Sequence, residues 1–165
     1  INKGSIYTIK LSRRGVDLVG GLEQNILMNL KVKDYMKNQV AIVEESATLD
    51  QIIETFKTEN ASYLHMVDKD KHLTGIISFR DIRPILDEGL PPTLVIARDV
   101  ATIDLKTINQ SDNIRSALQI MSSTGISQLP VVDDDDHRTL VGCLREKDVI
   151  SAYDNEVIQR EILGN

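Results

Sequence analysis

The stretch that decides the fold is Leu49-Asp50-Gln51-Ile52-Ile53-Glu54-Thr55-Phe56-Lys57-Thr58-Glu59-Asn60. Its apolar residues Leu49, Ile52, Ile53 and Phe56 recur at i, i+3, i+4 and i+7, which places them on one face of a helix. Adding 65 to each number gives Ile114, Ala117, Leu118 and Met121, with the same spacing. The flanks match as well. Ser46 maps onto Ser111, and serine favours a helix start. Asn60 maps onto Gly125, the two residue types that most readily take the left-handed conformation at a helix end. A shared stripe with shared boundaries marks an internal repeat.

The correspondence extends outward. Val40 to Val43 maps onto Leu105 to Ile108, and Leu64-His65-Met66-Val67-Asp68 onto Leu129-Pro130-Val131-Val132-Asp133, all strand candidates. A polar turn follows in each copy. The second turn is two residues longer, so the offset becomes 67 and takes Gly75 to Gly142 and Asp81 to Asp148. Length changes of this kind fall in surface turns. A strand and a helix then close each copy, Leu73 to Ser78 with Phe79 to Leu86, and Thr139 to Leu144 with a helix from Glu146. The fold class expected is α+β: two pseudo-symmetric repeats, each a small three-stranded sheet with two helices. A repeat of about 55 residues buries little core by itself, so two are expected to pack together. Gly89, Pro91 and Pro92 mark the connector. The expected boundaries are a leader at 1–29, repeat 1 at 30–88, a connector at 89–96, and repeat 2 with a C-terminal helix at 97–165.

Composition narrows the function classes. A net charge of −6 opposes nucleic acid as a partner, because phosphate binding needs a basic surface. No apolar run reaches the 18 or more residues of a membrane-crossing helix. The single cysteine, Cys143, has no internal partner and points to a reducing compartment. The chain begins at Ile1 rather than Met, as an excised piece would. Lys3, Lys10, Arg13 and Arg14 precede the first acidic residue, Asp17, a polarity that suits a solvated tail or the cytoplasmic flank of a membrane segment.

The repeat, the Leu129 to Asp133 strand and the Gly–strand end–Asp ending of both halves resemble CBS domains, of which a tandem pair forms a Bateman module. The resemblance spans about Leu30 to Tyr153. It implies a disc with two clefts that bind adenosine nucleotides or other adenosyl ligands. Gly75-Ile76-Ile77-Ser78-Phe79-Arg80-Asp81 matches the family's Gly-x-x-[Ser/Thr]-x-x-Asp. Gly142-Cys143-Leu144-Arg145-Glu146-Lys147-Asp148 keeps the Asp but has Arg145 at the hydroxyl position. In that chemistry the Asp accepts ribose hydroxyls, and the Ser or Thr donates to a phosphate beside a helix N-terminus. A guanidinium can hold a phosphate bidentately instead. The family's shared clefts imply that Asp148 and Arg145 face Ala41, Ala61 and Ser62, and that Asp81 and Ser78 face Lys106, Ile126 and Ser127. Lys106 suits adenine less well than Ala41, so the Asp148 cleft is favoured for an AMP, ADP or ATP ligand. No cofactor is required. Asp81 and Asp148 are also good helix-capping residues, a role that needs no ligand.

The leader Ser5-Ile6-Tyr7-Thr8-Ile9-Lys10-Leu11-Ser12-Arg13-Arg14-Gly15-Val16-Asp17 resembles the segment after the last membrane helix of CLC chloride channels and transporters. That resemblance implies a regulatory domain on the cytoplasmic face of a membrane, attached to the membrane transport domain of the same chain and homodimeric. The parent would be a chloride channel, voltage-gated or otherwise, or an anion/proton exchanger.

Other sites carry less. His65, His72 and His137 lack paired zinc spacing, and His65 stands where the family strand has Pro. The run Asp133 to Asp136 lacks the spaced ligands and glycine of a calcium loop. No Gly-x-Ser-x-Gly, phosphate-binding loop or supported Cys–His pair points to catalysis, so no enzyme is expected. Two rival readings are a ligand-free dimerisation scaffold and the CBS module of another transporter or a soluble enzyme.

Overall fold

A computed structural model describes residues 21–164. The leader Ser5 to Asp17 lies outside the described residues. Helix α1 (Gly21–Asn29) and a 3-10 turn (Val32–Asp34) precede the first repeat, which reads β1 (Ile42–Glu44), α2 (Leu49–Thr58), β2 (Tyr63–Val67), β3 (Leu73–Ser78) and α3 (Phe79–Glu88). A second 3-10 turn (Pro92–Leu94) and α4 (Ala97–Val100) connect to β4 (Ile108–Asn109), α5 (Ile114–Thr124), β5 (Gln128–Val132), β6 (Leu140–Arg145) and α6 (Glu146–Leu163). The fold is α+β with two three-stranded sheets of the same order, β1-β2-β3 and β4-β5-β6.

Each sheet places its middle strand second in sequence. The β1–β2 pair is parallel, with Val43 opposite Met66, and β2–β3 is antiparallel, with Leu64 opposite Ile77 and a bulge at Met66/Val67. The β4–β5 pair repeats the parallel geometry, Ile108 opposite Val131. A parallel neighbour requires a crossover connection, which α2 and α5 supply.

The chain divides into two compact units. The Asp81 unit comprises Gln39–Leu105 with Asp136–Leu140. The Asp148 unit comprises Lys106–Asp135 and Val141–Asn165 together with the stretch up to Asn38. In the Asp81 unit, Leu49 and Ile52 of the predicted stripe are buried with Leu64, Met66, Ile77 and Ile82, and Ile53 and Phe56 pack against them. In the Asp148 unit, Ile114, Ala117 and Met121 are buried with Leu129, Val131, Leu144 and Val149, and Leu118 packs against them.

Helix boundaries follow local chemistry. The caps expected at Ser46 and Ser111 are instead Thr48 and Asn113, two residues later and again 65 apart. The Asn113 side chain accepts from the Ser116 amide at 2.9 Å, and the Thr48 amide donates to the Gln51 side chain at 2.9 Å. Each cap sits next to the first residue of its helix, so its side chain or its amide meets groups one turn inside, which Ser46 and Ser111 are too early to do. Asn60 (φ 47°) and Gly125 (φ 69°) both adopt the left-handed conformation read from the sequence. Gly89, also left-handed, ends α3, whereas α6 runs to Leu163.

The repeat also extends upstream of its strands. The Val32 amide donates to the Asp112 carbonyl at 2.9 Å, and the Ala97 amide to the Ala47 carbonyl at 2.8 Å. Lys33 to Gln110 and Arg98 to Glu45 repeat the pairing, as do Ile114 to Leu30 and Leu49 to Val95. Lys37 and Cys143 exchange two hydrogen bonds of 2.8 and 2.9 Å, and Thr102 and Ile76 do the same at 2.9 and 3.0 Å. Every partner differs by 65 or 67, the offsets of the repeat. The amides of Leu49 and Ile114, which open α2 and α5 and have no acceptor within their own helix, are satisfied by these lead-in segments.

Candidate functional site

The two Gly-x-x-x-x-x-Asp ends present the same backbone with different chemistry. Each carboxylate stands in the first turn of a helix, three residues after the end of a strand. In the Asp81 unit, Asp81 Oδ2 accepts from the Ser78 amide at 2.6 Å and from the Ser78 hydroxyl at 2.8 Å. Asp81 makes no ion pair among the described residues. This is the capping role, and it uses a single oxygen.

In the Asp148 unit, Arg145 replaces that serine and changes the arrangement. Its Nε donates to Asp148 Oδ2 at 2.7 Å and its Nη2 to Asp148 Oδ1 at 2.7 Å, a bidentate fork, while its amide reaches Oδ2 at 3.3 Å. Both carboxylate oxygens are engaged. The Asp148 side chain is 13% exposed and that of Arg145 31%. Burial pushes the Asp148 pKa up, but the Arg145 hydrogen bonds and charge, with the Lys37 charge beyond them, outweigh it and hold the carboxyl below the usual range. The same fork raises the guanidinium pKa further.

The remaining expected residues are distributed between the units. Ala41 and Ala61 are half-buried against the core of the Asp81 unit, and Ser62 is exposed. The Ala41 carbonyl accepts from the His65 amide at 2.8 Å. Ile126 packs on the core of the Asp148 unit, and the carbonyl of exposed Ser127 accepts from the Glu146 amide at 2.8 Å, closing the start of α6. Lys106 is exposed. Within their own units the structure therefore brings Ser78 to Asp81, Arg145 to Asp148, and the Ser127 backbone to the helix that carries Asp148.

Two histidines acquire definite environments. His65 is fully buried on the middle strand, its Nδ1 lies 3.3 Å from the Ala41 carbonyl, and its Nε2 has no hydrogen-bond partner among the described residues. Burial lowers its pKa, with the Ala41 contact opposing in part. His72 lies between two carboxylates of the Asp81 unit, Nδ1 at 3.1 Å from Asp68 Oδ2 and Nε2 at 3.3 Å from Asp136 Oδ2. Asp68, Asp70 and His72 offer ligand atoms within 4.8 Å of one another, a group that the sequence reading did not find. Asp68 Oδ1 already accepts the amides of Asp70 and His72, so the cluster closes its own turn. Sequence reasoning also missed Lys37 as a neighbour of Asp148. The signal was present: Val32 to Lys37 maps onto Ala97 to Thr102 at the offset of 65, with Lys33-Asp34 opposite Arg98-Asp99. No described helix is long and apolar enough to cross a membrane.

Comparison with known proteins agrees with this fold. The CBS domain family model matches residues 32–88 and 97–155. An inosine-5'-monophosphate dehydrogenase of Methanocaldococcus jannaschii is 28% identical over 120 residues, covering 73% of this chain and 23% of that protein. The chain spans less than half the length of the curated relatives it matches first. Among solved structures, CBSX2 in complex with AMP is similar at 24% identity and a TM-score of 0.66, over 78% of this chain and 99% of that one. The cytosolic domain of the magnesium channel MgtE in complex with ATP is similar at 17% identity and a TM-score of 0.64, over 87% and 52%. At these identities the likeness is one of fold.

Proposed function

The chain belongs to the CBS domain family, and from that premise we propose that it is a regulatory module that senses an adenine nucleotide. CBS pairs regulate rather than catalyse. The observation that carries the reading is the pair of matched first-turn carboxylates, Asp81 and Asp148, one on each repeat at the family's ribose-binding position. Asp81 offers an oxygen outside its capping bonds, and Ser78 stands beside it for a phosphate. The AMP and ATP complexes of similar folds support an adenine ligand. Ala41, Ala61 and Ser62, and Ile126 and Ser127, are the proposed base-contacting residues.

The attached machinery we take to be a membrane transport domain of the CLC type, a chloride channel or anion/proton exchanger acting as a homodimer. Support comes from the Ser5 to Asp17 leader. A ligand would bias such a domain by binding one of its states better than another. A second reading, a ligand-free scaffold, draws on one observation: both oxygens of Asp148 are engaged by Arg145. The dehydrogenase relative gives a third, the CBS module of a soluble enzyme.

Isothermal titration calorimetry of the chain with AMP, ADP and ATP, beside Asp81→Ala and Asp148→Ala, tests the nucleotide reading. Binding lost in one variant identifies the carboxylate in use. Absence of heat with all three at millimolar concentration leaves the scaffold as the function. Chloride efflux from vesicles holding the full-length protein, with and without nucleotide, tests the transport assignment.

A further inference from the structure

The two carboxylates are equivalent by position but differ in their charged neighbours. Asp148 is forked by Arg145 and feels Lys37, so the trio carries a net +1. The matching positions of the other repeat are Asp81, Ser78 and Thr102, whose net charge is −1. Lys37 and Thr102 occupy the same register, each exchanging two backbone hydrogen bonds with the strand that ends in its site.

We propose that Arg145 latches Asp148 and makes that end of the molecule selective for phosphorylated ligands, while the unlatched Asp81 end accepts an uncharged nucleoside as readily. This rests on the nucleotide-binding reading above and deepens it. The Arg145 fork and amide fill three of the roughly four acceptor positions of the Asp148 carboxylate, so a ribose diol, which needs two, competes with the guanidinium. The displaced cation then loses two charge-assisted hydrogen bonds and needs another anion. A phosphate on the same ligand supplies one, and Arg145 suits it because its planar donors fit phosphate in the same fork that fits carboxylate. Lys37 adds a second positive charge. A nucleoside without phosphate breaks the fork and offers nothing in return. At Asp81 there is no fork to break, and the serine hydroxyl rotates without moving a charge.

The latch is therefore an exchange of partners. In the ligand-free chain the guanidinium holds the carboxylate; in the bound chain the diol holds the carboxylate and the phosphate holds the guanidinium. No bond is made or broken beyond hydrogen bonds and ion pairs. Selectivity comes from the ligand having to satisfy both groups at once.

Calorimetry with AMP and adenosine tests this in an Asp81→Asn background, which confines binding to the Asp148 end. The expected preference for AMP is about ten- to hundredfold, the value of one or two hydrogen bonds to charged groups. Adding Arg145→Ser should bring the two ligands to within a few-fold of each other, with adenosine gaining affinity and AMP losing it. An AMP-to-adenosine ratio that Arg145→Ser leaves unchanged overturns the latch and leaves nucleotide binding standing. Failure of every variant and of the unsubstituted chain to bind either ligand overturns both readings. A ligand-free measurement tests the fork separately. Carbon-detected NMR titration of the Asp148 carboxyl should show its pKa rising in Arg145→Ser, and an unmoved value would mean that no fork exists in solution.

Discussion

Gly142→Ala tests the pairing of Lys37 with Cys143, which builds the Asp148 end. An ideal Cβ on Gly142 would lie 2.5 Å from the Lys37 carbonyl oxygen and 3.2 Å from Met36 Sδ. A carbon-to-oxygen contact relaxes only near about 3.3 Å, so the Lys37 backbone must retreat by roughly 0.8 Å. That stretches its hydrogen bonds with Cys143, now 2.8 and 2.9 Å, past useful geometry. Two lost bonds at about 1 kcal/mol each, with overpacking at the low end of about 1–3 kcal/mol, give a destabilisation of roughly 3 kcal/mol. Without the contact, alanine would stabilise by about 0.4–1 kcal/mol through the unfolded chain, so even the sign is diagnostic. Gly75→Ala is the internal control. Its Cβ would meet Met66 Cε at 2.7 Å, a flexible chain end that can swing away, with Ala101 Cβ at 2.9 Å and the Thr102 carbonyl oxygen only at 3.3 Å. Ala101 Cβ is fixed to its backbone and must also give, so the cost is overpacking of about 1–3 kcal/mol without the two lost hydrogen bonds. Urea unfolding separates the two, since slopes of about 1–3 kcal/mol per molar turn 3 kcal/mol into a midpoint shift of about 1–3 M. Hydrogen exchange should show the Lys37 and Cys143 amides losing protection in Gly142→Ala alone. A larger midpoint shift in Gly75→Ala than in Gly142→Ala, or full protection retained at Lys37, would refute the reasoning.

Two further outcomes follow from buried groups. Burial lowers the His65 pKa, so below its unfolded value of about 6.5 the unfolded chain binds more protons and stability falls with falling pH, by up to about 1.4 kcal/mol per unit. His65→Leu should flatten that acid limb in urea titrations at several pH values, and a limb of unchanged slope would assign it elsewhere. Cys143 is buried and its thiol pKa is pushed up to about 12, chiefly by burial. At pH 8 its thiolate fraction is therefore about one in ten thousand, and an aromatic disulfide reagent should modify it only at the rate of unfolding. Rapid labelling of the folded chain would contradict this placement.

The sequence by itself determined the repeat and, through it, the fold. Hydrophobic period is local information: Leu49, Ile52, Ile53 and Phe56 mark a helix wherever they are placed, and Ile114 to Met121 repeats the mark. Asn60 and Gly125 ended both helices as their backbone preferences require. The helix starts were misplaced at Ser46 and Ser111, because serine, threonine and asparagine all cap well. Which of them caps depends on the side chain that its neighbour at N3 presents. The position of the two candidate carboxylates was equally legible, since Asp81 and Asp148 follow their glycines at a fixed distance along a strand and a helix.

Tertiary structure alone decided what those carboxylates hold. Arg145 was visible as a departure from the motif, but its choice between a phosphate and Asp148 depends on side-chain direction, which spacing does not encode. The role of Lys37 depends on a segment distant in sequence pairing beside Cys143, a contact set by backbone hydrogen bonds rather than by any residue preference. The isolation of His65 Nε2 was hidden for the same reason. Whether a buried polar atom finds a partner depends on what the rest of the chain brings to it, and period and propensity are silent on that.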